Sequence, residues 1–540
     1  MLKNLFKVIG TYFIREKKIN IIRNRWAKSI KKHRNFDLIS IYHNDIKKKS
    51  ETEYINGRTW TDLNFDSIFS LLDRTSSSIG QQFLYHLLHK YEKDENVLKK
   101  RISVAKYLNA NTKTREELQV PLLNLNNIGS YFISNILLGI FPSRPKYYWG
   151  IYLLSFLSFF SLILIPINSF FFFPFIAVIL TNFIINRIYT DKIYEYFLAL
   201  SSLNRLIFAS IKIAKVKTNE PIEQIELLKK HSSLLTKLRR KLGYLVIDKS
   251  SLGELGEAII GYLNLFMLMD LVAYIRTIVA LEKYLFEIEK IFVSIGELDT
   301  LISLASYIEE NPNICSPTFN NSANISFGDI YHPLLSEPIT NTLNSLEKSA
   351  LITGSNMAGK TTFIKTVGVN VILAQTIYLC HAKHFSSFPF VVKSSIKRED
   401  NLRDSKSYFF VEVEQLQEFM KLSEKSEKYL FLIDEIFRGT NTIERLASSS
   451  AVLDYLNNKS LVLVTTHDIE LQNLLGDSFE MYHFNEQVEN NKYFFDYKIK
   501  RDSCFHGNAI KLLEIKKYPN AVTEKAKETA KILMLQSNYK

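Results

Sequence analysis

No part of this 540-residue chain restricts the possible folds more than the run from Tyr147 to Asn186, in which no side chain is charged. Such a long run must leave water, either in a lipid bilayer or in a large protein core. Residues 166–169 (Pro-Ile-Asn-Ser) are typical of a turn and divide it into two apolar runs, 147–165 and 170–186. Each run approaches the roughly 20 residues with which a helix crosses a bilayer core. The sequence therefore predicts a transmembrane helical hairpin.

Positive charges flank the predicted hairpin on both sides. Arg144 and Lys146 precede it, Arg187 and Lys192 follow it, and its turn carries none. Because positively charged flanks stay on the cytoplasmic side, we expect a multi-pass protein of the cell membrane with both termini in the cytoplasm. The alternative is a hairpin buried in a large soluble core. Four consecutive Phe residues among Ile and Leu, with no polar face, favour lipid.

The net charge of +13 is concentrated in an N-terminal arm. Residues 1–49 contain fourteen Lys and Arg and three acids, a net of +11, which leaves about +2 for the rest. The arm has the pattern of a basic amphipathic helix, which could lie on anionic lipid, contact nucleic-acid phosphates without reading sequence, or remain solvated; the hairpin favours lipid. Its cations near Trp26 and Ile30 are Arg23, Arg25, Lys28, Lys31, Lys32 and Arg34. A second cluster, Lys237, Arg239, Arg240 and Lys241, is interpreted as a solvated helix face that could also touch nucleic acid.

A glycine-rich segment in the second half matches the phosphate-loop pattern G-x-x-x-x-G-K-[ST]. Residues 349–353 before it are predicted to form a buried strand, and residues 362–374 the helix that such a loop precedes. Backbone N–H groups would cradle nucleotide phosphates, Lys360 would reach the β- and γ-phosphates, and Thr361 would bind Mg²⁺. The loop residues are Gly354, Ser355, Asn356, Met357, Ala358, Gly359, Lys360, Thr361 and Thr362.

Two further apolar strands end in polar residues suited to the same chemistry. Residues 429–433 lead to Asp434 and Glu435, and residues 461–466 lead to His467. Asp434 would bind the metal ion, and Glu435 would orient or deprotonate an attacking water. A lone histidine is more often structural, but after a strand in this order His467 is predicted to sense the γ-phosphate.

These motifs resemble the ATPase domain of MutS-type mismatch-repair proteins. The phosphate loop of that family has Asn and then Met before its second Gly, as Asn356 and Met357 stand here. The resemblance runs from about Ile330 to Glu528. Its segments are 354–362, 407–412, 434–442 and 465–468, with 332–335 upstream and 507–515 near the C-terminal end.

The resemblance implies ATP and Mg²⁺ as cofactors, and a homodimer in which paired ATPase domains complete each other's sites. Gly439, Thr440, Asn441 and Thr442 would then face the γ-phosphate of the partner. The sequence departs from the family at Phe437, where a Gly is usual, and at Asn441, where a Ser is usual. An Asn amide can still donate a hydrogen bond. The resemblance further implies DNA as the clamped ligand.

The resemblance extends upstream over shorter segments. Segments 59–63, 72–75 and 78–80 resemble the opening of the family's helical core, and 295–299 the end of its lever helices. Helical patterns over 223–242 and 255–292 suit levers, and they suit ordinary core helices equally well. The resemblance begins near Thr59, which leaves less chain ahead of it than the roughly 100 residues of a typical domain. The family's mismatch-reading and connector domains are therefore expected to be absent.

The expected fold is multidomain, with an all-α core and lever region that contains the transmembrane hairpin, followed by an α/β P-loop ATPase domain of the ABC type. The expected function is a membrane-anchored MutS-family ATPase, formally of mismatch repair, that binds DNA without sequence specificity or mismatch reading. The alternative is a membrane mechanochemical or scaffold ATPase that never meets DNA. The predicted domains are a basic arm (1–57), the first helical core part (58–135), the hairpin (136–192), levers and the second core part (193–312), and the ATPase domain (313–540).

Overall fold

The computed structural model describes residues 2–139, 147–236, 238, 261–262, 264–355, 357–396, 408–437, 441–489, 492–502 and 509–537. The α-helices with defined bounds are α1 (Leu2–Arg25), α2 (Phe36–Lys49), α3 (Gly57–Asp62), α4 (Phe65–Leu72), α5 (Ser78–His89), α6 (Glu95–Ala110), α7 (Thr112–Leu122), α8 (Ile128–Tyr131), α9 (Ile133–Leu138), α10 (Tyr148–Leu164), α11 (Phe172–Ile213), α12 (Glu223–Ser232), α13 (Met269–Leu281), α14 (Leu285–Glu310), α15 (Lys360–Thr376), α16 (Tyr408–Ser423), α17 (Thr442–Asn457), α18 (Glu470–Leu475), α19 (Ala509–Ile515) and α20 (Asn520–Ser537). The strands are β1 (Thr318–Phe319), β2 (Ile325–Ile330), β3 (Asn341–Leu346), β4 (Ala350–Thr353), β5 (His384–Ser387), β6 (Val391–Ser395), β7 (Tyr429–Asp434), β8 (Leu461–Thr465), β9 (Glu480–Glu489) and β10 (Lys492–Arg501).

The chain divides into two compact units. The first, here called the helical unit, contains Met1–Thr52, Phe69–Leu87 and Lys99–Asn311. The second, the sheet unit, contains Pro312–Lys540 together with Glu53–Ile68 and Leu88–Leu98. An all-α region followed by an α/β region is confirmed at this level.

Helix α14 forms the centre of the helical unit. From Ile291 to Tyr307 every residue except Val293 and Glu297 is buried, so protein covers this part of the helix on all sides. In the middle of this helix, Asp299 accepts hydrogen bonds from the N–H groups of Ser76 (2.9 Å) and Ser77 (2.8 Å), which precede α5. Burial raises the pKa of Asp299 to about 6 despite these hydrogen bonds. The chain between 72–75 and 78–80, two of the segments predicted to open the helical core, therefore meets the predicted end of the levers at this carboxyl group, whereas the third segment, 59–63, belongs to the sheet unit.

The two predicted apolar runs form a helical hairpin. The first is α10, and the second begins α11, which continues to Ile213 and at 42 residues is about 63 Å long. The end of α11 from Ala199 onward packs in the core of the helical unit, whereas its beginning exposes large apolar side chains. One continuous helix therefore joins the hairpin to the core of the helical unit.

Two described segments are helical, long and apolar enough to cross a membrane. The first is Ser169–Tyr189, and 6% of its most apolar 18-residue stretch is buried. The second is Met269–Glu310, and 83% of the corresponding stretch is buried. The second is mainly the core helix α14. Helix α10 has the same apolar character over a shorter length, from Tyr148 to Leu164.

The predicted lever helices are shorter than their sequence patterns. Helix α12 ends at Ser232, whereas the pattern extends to residue 242. The pattern over 255–292 is interrupted at Leu268, which has φ 49°, and again by a 3₁₀ turn at Glu282–Tyr284. Residues 237 and 239–260, which contain Lys237, Arg239, Arg240 and Lys241, lie outside the described residues.

The N-terminal arm is not a continuous basic helix, and this prediction was wrong. Helix α1 ends at Arg25, Ala27 has φ 53°, and residues 28–35 have no regular structure. The guanidinium carbon of Arg115 lies 3.4 Å from the centroid of the Trp26 ring. Arg23 forms an ion pair with Glu116 at 2.6 Å. The arm therefore packs against α7 by specific contacts.

A buried carboxylate organises the rest of the arm. Asp73 pairs with Lys32 (3.0 Å) and Arg34 (2.9 Å). Burial alone would raise the pKa of Asp73, but Lys32, hydrogen bonds from Thr75 and Gln81, and Arg34 together hold it below its ordinary value. Three of the six arm cations around Trp26 are thus paired with acids of the same unit.

The six-stranded sheet of the sheet unit has the strand order β10-β9-β4-β8-β7-β6. All neighbouring pairs are parallel except β9 and β10. Strands β4, β7 and β8 are continuous apolar runs, as expected for parallel strands covered on both faces. The strands predicted at 349–353, 429–433 and 461–466 and the helix predicted at 362–374 are confirmed as β4, β7, β8 and α15. The carboxyl ends of these strands therefore lie at one edge.

We expect Arg34→Ala to lower the free energy of unfolding by about 2–3 kcal/mol, less than the roughly 3–5 kcal/mol for a wholly unpaired buried charge, because Lys32 remains beside Asp73. The low pKa of Asp73 contributes stability that is present above its ordinary value of 3.8 and lost as the pH falls through the folded-state value. The difference between parent and variant should therefore shrink below pH 3.8. Urea unfolding at several pH values measures it, with the exposed Lys31→Ala as control; an equal loss in both variants would contradict the account.

Candidate nucleotide-binding site

The phosphate loop connects β4 to α15 through two glycines in the left-handed region. Gly354 has φ 134° and Gly359 has φ 101°. A Cβ atom at Gly354 would lie 2.8 Å from the Phe484 carbonyl oxygen, and one at Gly359 would lie 3.1 Å from the Tyr497 ring. The backbone conformation therefore favours glycine at both positions, and at Gly354 the space requires it as well.

Lys360 is the buried cation of this loop, with 2% of its surface exposed. Its Nζ donates to the carbonyl oxygens of Gly354 (2.6 Å) and Ser355 (2.8 Å) and lies 3.4 Å from His467 Nε2. A buried ammonium is costly unless it is paired with oxygen atoms or an anion. The arrangement holds a positive charge inside the loop, as the binding of a phosphate requires.

Asp434 joins the loop helix to two strands. Thr361 Oγ1 donates to its carboxylate at 3.0 and 3.1 Å, and Thr465 Oγ1 also donates to it. A hydroxyl and a carboxylate are hard oxygen ligands of the kind that Mg²⁺ takes from protein while phosphates and water supply the rest. The donor set thus fits Mg²⁺. Among the described residues there is no cluster of three or more His, Cys, Asp or Glu side chains arranged to hold a metal ion.

Glu435 and His467 face each other beside Lys360. Glu435 follows the end of β7 with φ 62°, and its N–H donates to the Thr465 carbonyl at 2.9 Å. Its carboxylate is almost buried and lies 3.0 Å from His467 Nε2. The imidazole is 38% exposed at the side-chain level. The structure therefore brings together Lys360, Thr361, Asp434, Glu435 and His467, which the sequence placed on three separate segments.

A cavity of about 380 Å³ opens beside the loop. His332, on the segment that resembles the family's upstream motif, lines it, and burial together with the charge of Lys365 lowers the pKa of His332 to about 4. An uncharged imidazole suits contact with an aromatic base, and the volume is within the range of ligand pockets. No sequence motif predicted a role for this wall. The other lining residues are Ile330, Tyr331, Leu335, Glu337, Ile339, Asn341, Met357, Gly359, Thr361, Thr362, Phe363, Thr366, Phe484 and Tyr497.

The departure from the family at Phe437 has a structural counterpart. Phe437 has φ 56°, a conformation that favours glycine, but its ring is buried and lies 5.9 Å from that of Phe409. Its N–H donates to Glu412 Oε1 at 2.6 Å. Glu412, which is buried on α16, is therefore a positioning residue. The segment 407–412 resembles the MutS-type ATPase domain, but the sequence did not indicate this role for Glu412. Glu412 supports the turn that carries Glu435.

The segment predicted to face a partner begins α17. The Asn441 side chain accepts the Glu444 N–H at 3.0 Å and caps this helix, whose first residue is Thr442. The neighbouring Ile443 is among the most exposed apolar side chains described. Of the predicted site residues, Asn356, Gly439 and Thr440 lie outside the described residues.

Comparison with known proteins points to one family for this part of the chain. Residues 350–534 match the family model of MutS domain V. The DNA mismatch repair protein MutS of Methanococcoides burtonii is 30% identical over 258 residues, which cover 45% of this chain and 29% of that protein. The protein of the same description from Clostridium kluyveri is 29% identical over 51% of this chain and 33% of its own length. That from Lysinibacillus sphaericus is 26% identical over 46% of this chain and 30% of its own length. The chain thus matches about 30% of the length of these curated relatives.

We expect His332→Ala to weaken nucleotide binding about tenfold, since stacking of a base on an aromatic ring is worth about 1–3 kcal/mol. Titration with a fluorescent nucleotide measures this, and the exposed His384→Ala on β5 is the matched control. Because the pKa of His332 is about 4, the difference between parent and variant should be constant from about pH 5.5 to 8. An unchanged affinity for the nucleotide would show that its base does not stack on His332.

Proposed function

We propose that this protein is an ATPase of the MutS type. The observation that carries the proposal is the convergence of Lys360, Thr361, Asp434, Glu435 and His467 at one edge of a parallel sheet. The match of residues 350–534 to MutS domain V supports it independently.

Each side chain has a distinct part in the proposed hydrolysis. Lys360 binds the β- and γ-phosphates, and Glu435 orients or deprotonates the attacking water. His467, beside both of them, contacts the γ-phosphate and reports its presence. Thr361 and Asp434 would hold Mg²⁺, which would neutralise phosphate charge when bound.

The proposed assembly is a homodimer through the sheet units, in which residues 439–442 of one subunit complete the site of the other. The similar proteins are described as DNA mismatch repair proteins, and on that basis we propose sequence-nonspecific DNA as a ligand. Mismatch recognition is not part of the proposal, because the similarity to the M. burtonii protein covers 29% of that protein.

We also propose that the hairpin anchors the protein in the cell membrane, with both termini in the cytoplasm. The described beginning of α11 is apolar and exposed, and the same is true of one face of α10. Exposed apolar side chains over two adjacent helices are unfavourable in water and favourable among acyl chains. The paired helices are close to the length of a bilayer core.

A second candidate is a membrane mechanochemical or scaffold ATPase that has no DNA role. The pairing of Lys32 and Arg34 with the buried Asp73 favours it, because these two cations already neutralise a carboxylate of the helical unit. Binding of duplex DNA and of anionic vesicles, each at two salt concentrations, distinguishes the candidates. Salt-sensitive DNA affinity supports the first candidate, and vesicle binding without DNA affinity supports the second.

We expect Glu435→Gln to lower the turnover number for ATP hydrolysis by about 10²–10⁴-fold, the usual contribution of a positioned general base, while nucleotide binding is retained. Phosphate release under saturating ATP measures turnover. The matched control is Glu418→Gln on the exposed face of α16. Turnover that is equal in parent and Glu435→Gln would remove Glu435 from the proposed mechanism.

A further inference from the structure

The apolar part of the helical unit contains a helix break. Residues 264–267 are helical, Leu268 adopts the left-handed conformation with φ 49° and ψ 36°, and α13 begins at Met269. In a continuous helix the Asp270 N–H would donate to the Phe266 carbonyl. Here it donates to Asn264 Oδ1 at 2.9 Å. The break thus turns the Phe266 carbonyl away from the helix ladder.

Two side chains of the hairpin donate to this carbonyl. The Ser158 hydroxyl on α10 lies 2.6 Å from the Phe266 oxygen, and the Asn182 amide on α11 lies 2.7 Å from it. The Asn182 amide also donates to Ser158 Oγ at 3.0 Å. Ser158 and Asn182 are almost completely buried. We call this group of Ser158, Asn182 and the Phe266 carbonyl the polar latch.

The polar latch lies near the middle of the proposed membrane layer. Ser158 and Asn182 are each ten residues beyond the first residue of their helix, or about 15 Å along it, which is half of a bilayer core about 30 Å thick. Side chains next to them in sequence, Phe159 and Phe183, are exposed and apolar. The hydrogen-bonding groups of the polar latch are therefore inside the helix group, while the exposed Thr181 beside Asn182 donates its hydroxyl to the Ala177 carbonyl of its own helix.

This arrangement is what a helix break requires in lipid. A carbonyl buried in a soluble protein also needs a donor, so it is the exposed apolar surface of the same segment that favours lipid over water. In acyl chains an unpaired carbonyl is very unfavourable, and non-helical backbone occurs only where protein covers and hydrogen-bonds it. The segment also exposes apolar surface: Tyr262 is 61% exposed and Met269 is 50% exposed. The Phe266 ring lies 6.3 Å from that of Phe175 on the hairpin.

The position of α13, which follows the helix break, agrees with a polar latch in the middle of the proposed membrane layer. Arg276 on α13 lies 5.7 Å from the ring of Tyr152, near the beginning of α10. The first charged side chain after Asp270 is therefore level with the end of the hairpin that the flanking charges place at the cytoplasmic surface. Among the described residues from 261 to 275, Asp270 is the only charged side chain.

We propose that the described residues from Gly261 to Met269 form a third lipid-embedded segment, which the polar latch holds against the hairpin. The proposal rests on the proposed membrane anchoring and adds to it a surface that contacts acyl chains. Since α13 continues through Glu282–Tyr284 into the core helix α14, the latch also joins the membrane layer to the centre of the helical unit.

Fluorescence quenching from within the bilayer tests the location of the segment. Full-length protein with an added Tyr262→Cys, Phe160→Cys or Leu474→Cys is labelled with a bimane maleimide and reconstituted in phosphatidylcholine–phosphatidylglycerol vesicles. Signal from the native cysteines is subtracted using the labelled parent. Lipids with a nitroxide in mid-chain should quench the first two positions and leave Leu474, exposed in the sheet unit, unquenched.

The outcomes separate this inference from the anchoring proposal. Quenching at Phe160→Cys without quenching at Tyr262→Cys overturns the third segment and leaves the hairpin anchored. No quenching at either position overturns the anchoring itself. If, without vesicles or detergent, the shielding of Tyr262→Cys from aqueous iodide rises with protein concentration, a second copy of the chain covers this surface and the lipid assignment is wrong.

Substitution of the latch tests its role. In Ser158→Ala with Asn182→Leu, both donors to the Phe266 carbonyl are lost, so quenching at Tyr262→Cys should fall about twofold or more while quenching at Phe160→Cys is retained. The matched control is Ser155→Ala with Thr181→Leu, since Thr181 is exposed and its hydroxyl bonds within its own helix. Asn182→Leu alone keeps the Ser158 donor and should give a smaller loss. Unchanged quenching at Tyr262→Cys in the double variant, with Phe160→Cys still quenched, contradicts the latch.

Discussion

The carboxylate of Asp434 ties the candidate site together. It stands at the end of β7, accepts hydrogen bonds from Thr361 at the start of α15 and from Thr465 at the end of β8, and so fixes the loop helix against two neighbouring strands. Glu435 is the next residue, and its main chain bonds to Thr465. Every other element of the site is placed relative to this junction, because parallel strands bring their carboxyl ends to one edge.

The helical unit depends on a different kind of constraint, the burial of carboxylates. Asp73 gathers Lys32 and Arg34 from the arm, and Asp299 receives the N–H groups of Ser76 and Ser77 ahead of α5. Both groups are costly to bury, so each requires its own set of donors. The contacts of Asp299 join the beginning of the helical unit's sequence to its end, around α14. The hairpin then projects from this framework on the continuous helix α11.

The sheet could be predicted from the sequence because its signals are local. Strands β4, β7 and β8 are short apolar runs, and each is followed by the residue that its chemistry needs. The arm was predicted wrongly because its structure depends on a distant residue. Lys32 and Arg34 fit the polar face of a helix locally, but both pair with Asp73, which lies beyond α2, α3 and α4 in the sequence. Likewise the break at Leu268 contains neither Gly nor Pro, and the donors that stabilise it belong to other helices. Glu412 and the cavity wall at His332 lay in segments that the resemblance had marked, but only their tertiary contacts show what they touch.

The central claim is that the sheet edge around Asp434 binds ATP together with Mg²⁺. Calorimetric titration of the full-length protein with a non-hydrolysable ATP analogue tests it most directly, in Mg²⁺ and again after chelation with EDTA. The account predicts saturable binding that weakens when Mg²⁺ is removed and is lost in Lys360→Ala. No binding in the presence of Mg²⁺, or binding that is the same with and without Mg²⁺ and in Lys360→Ala, would contradict it.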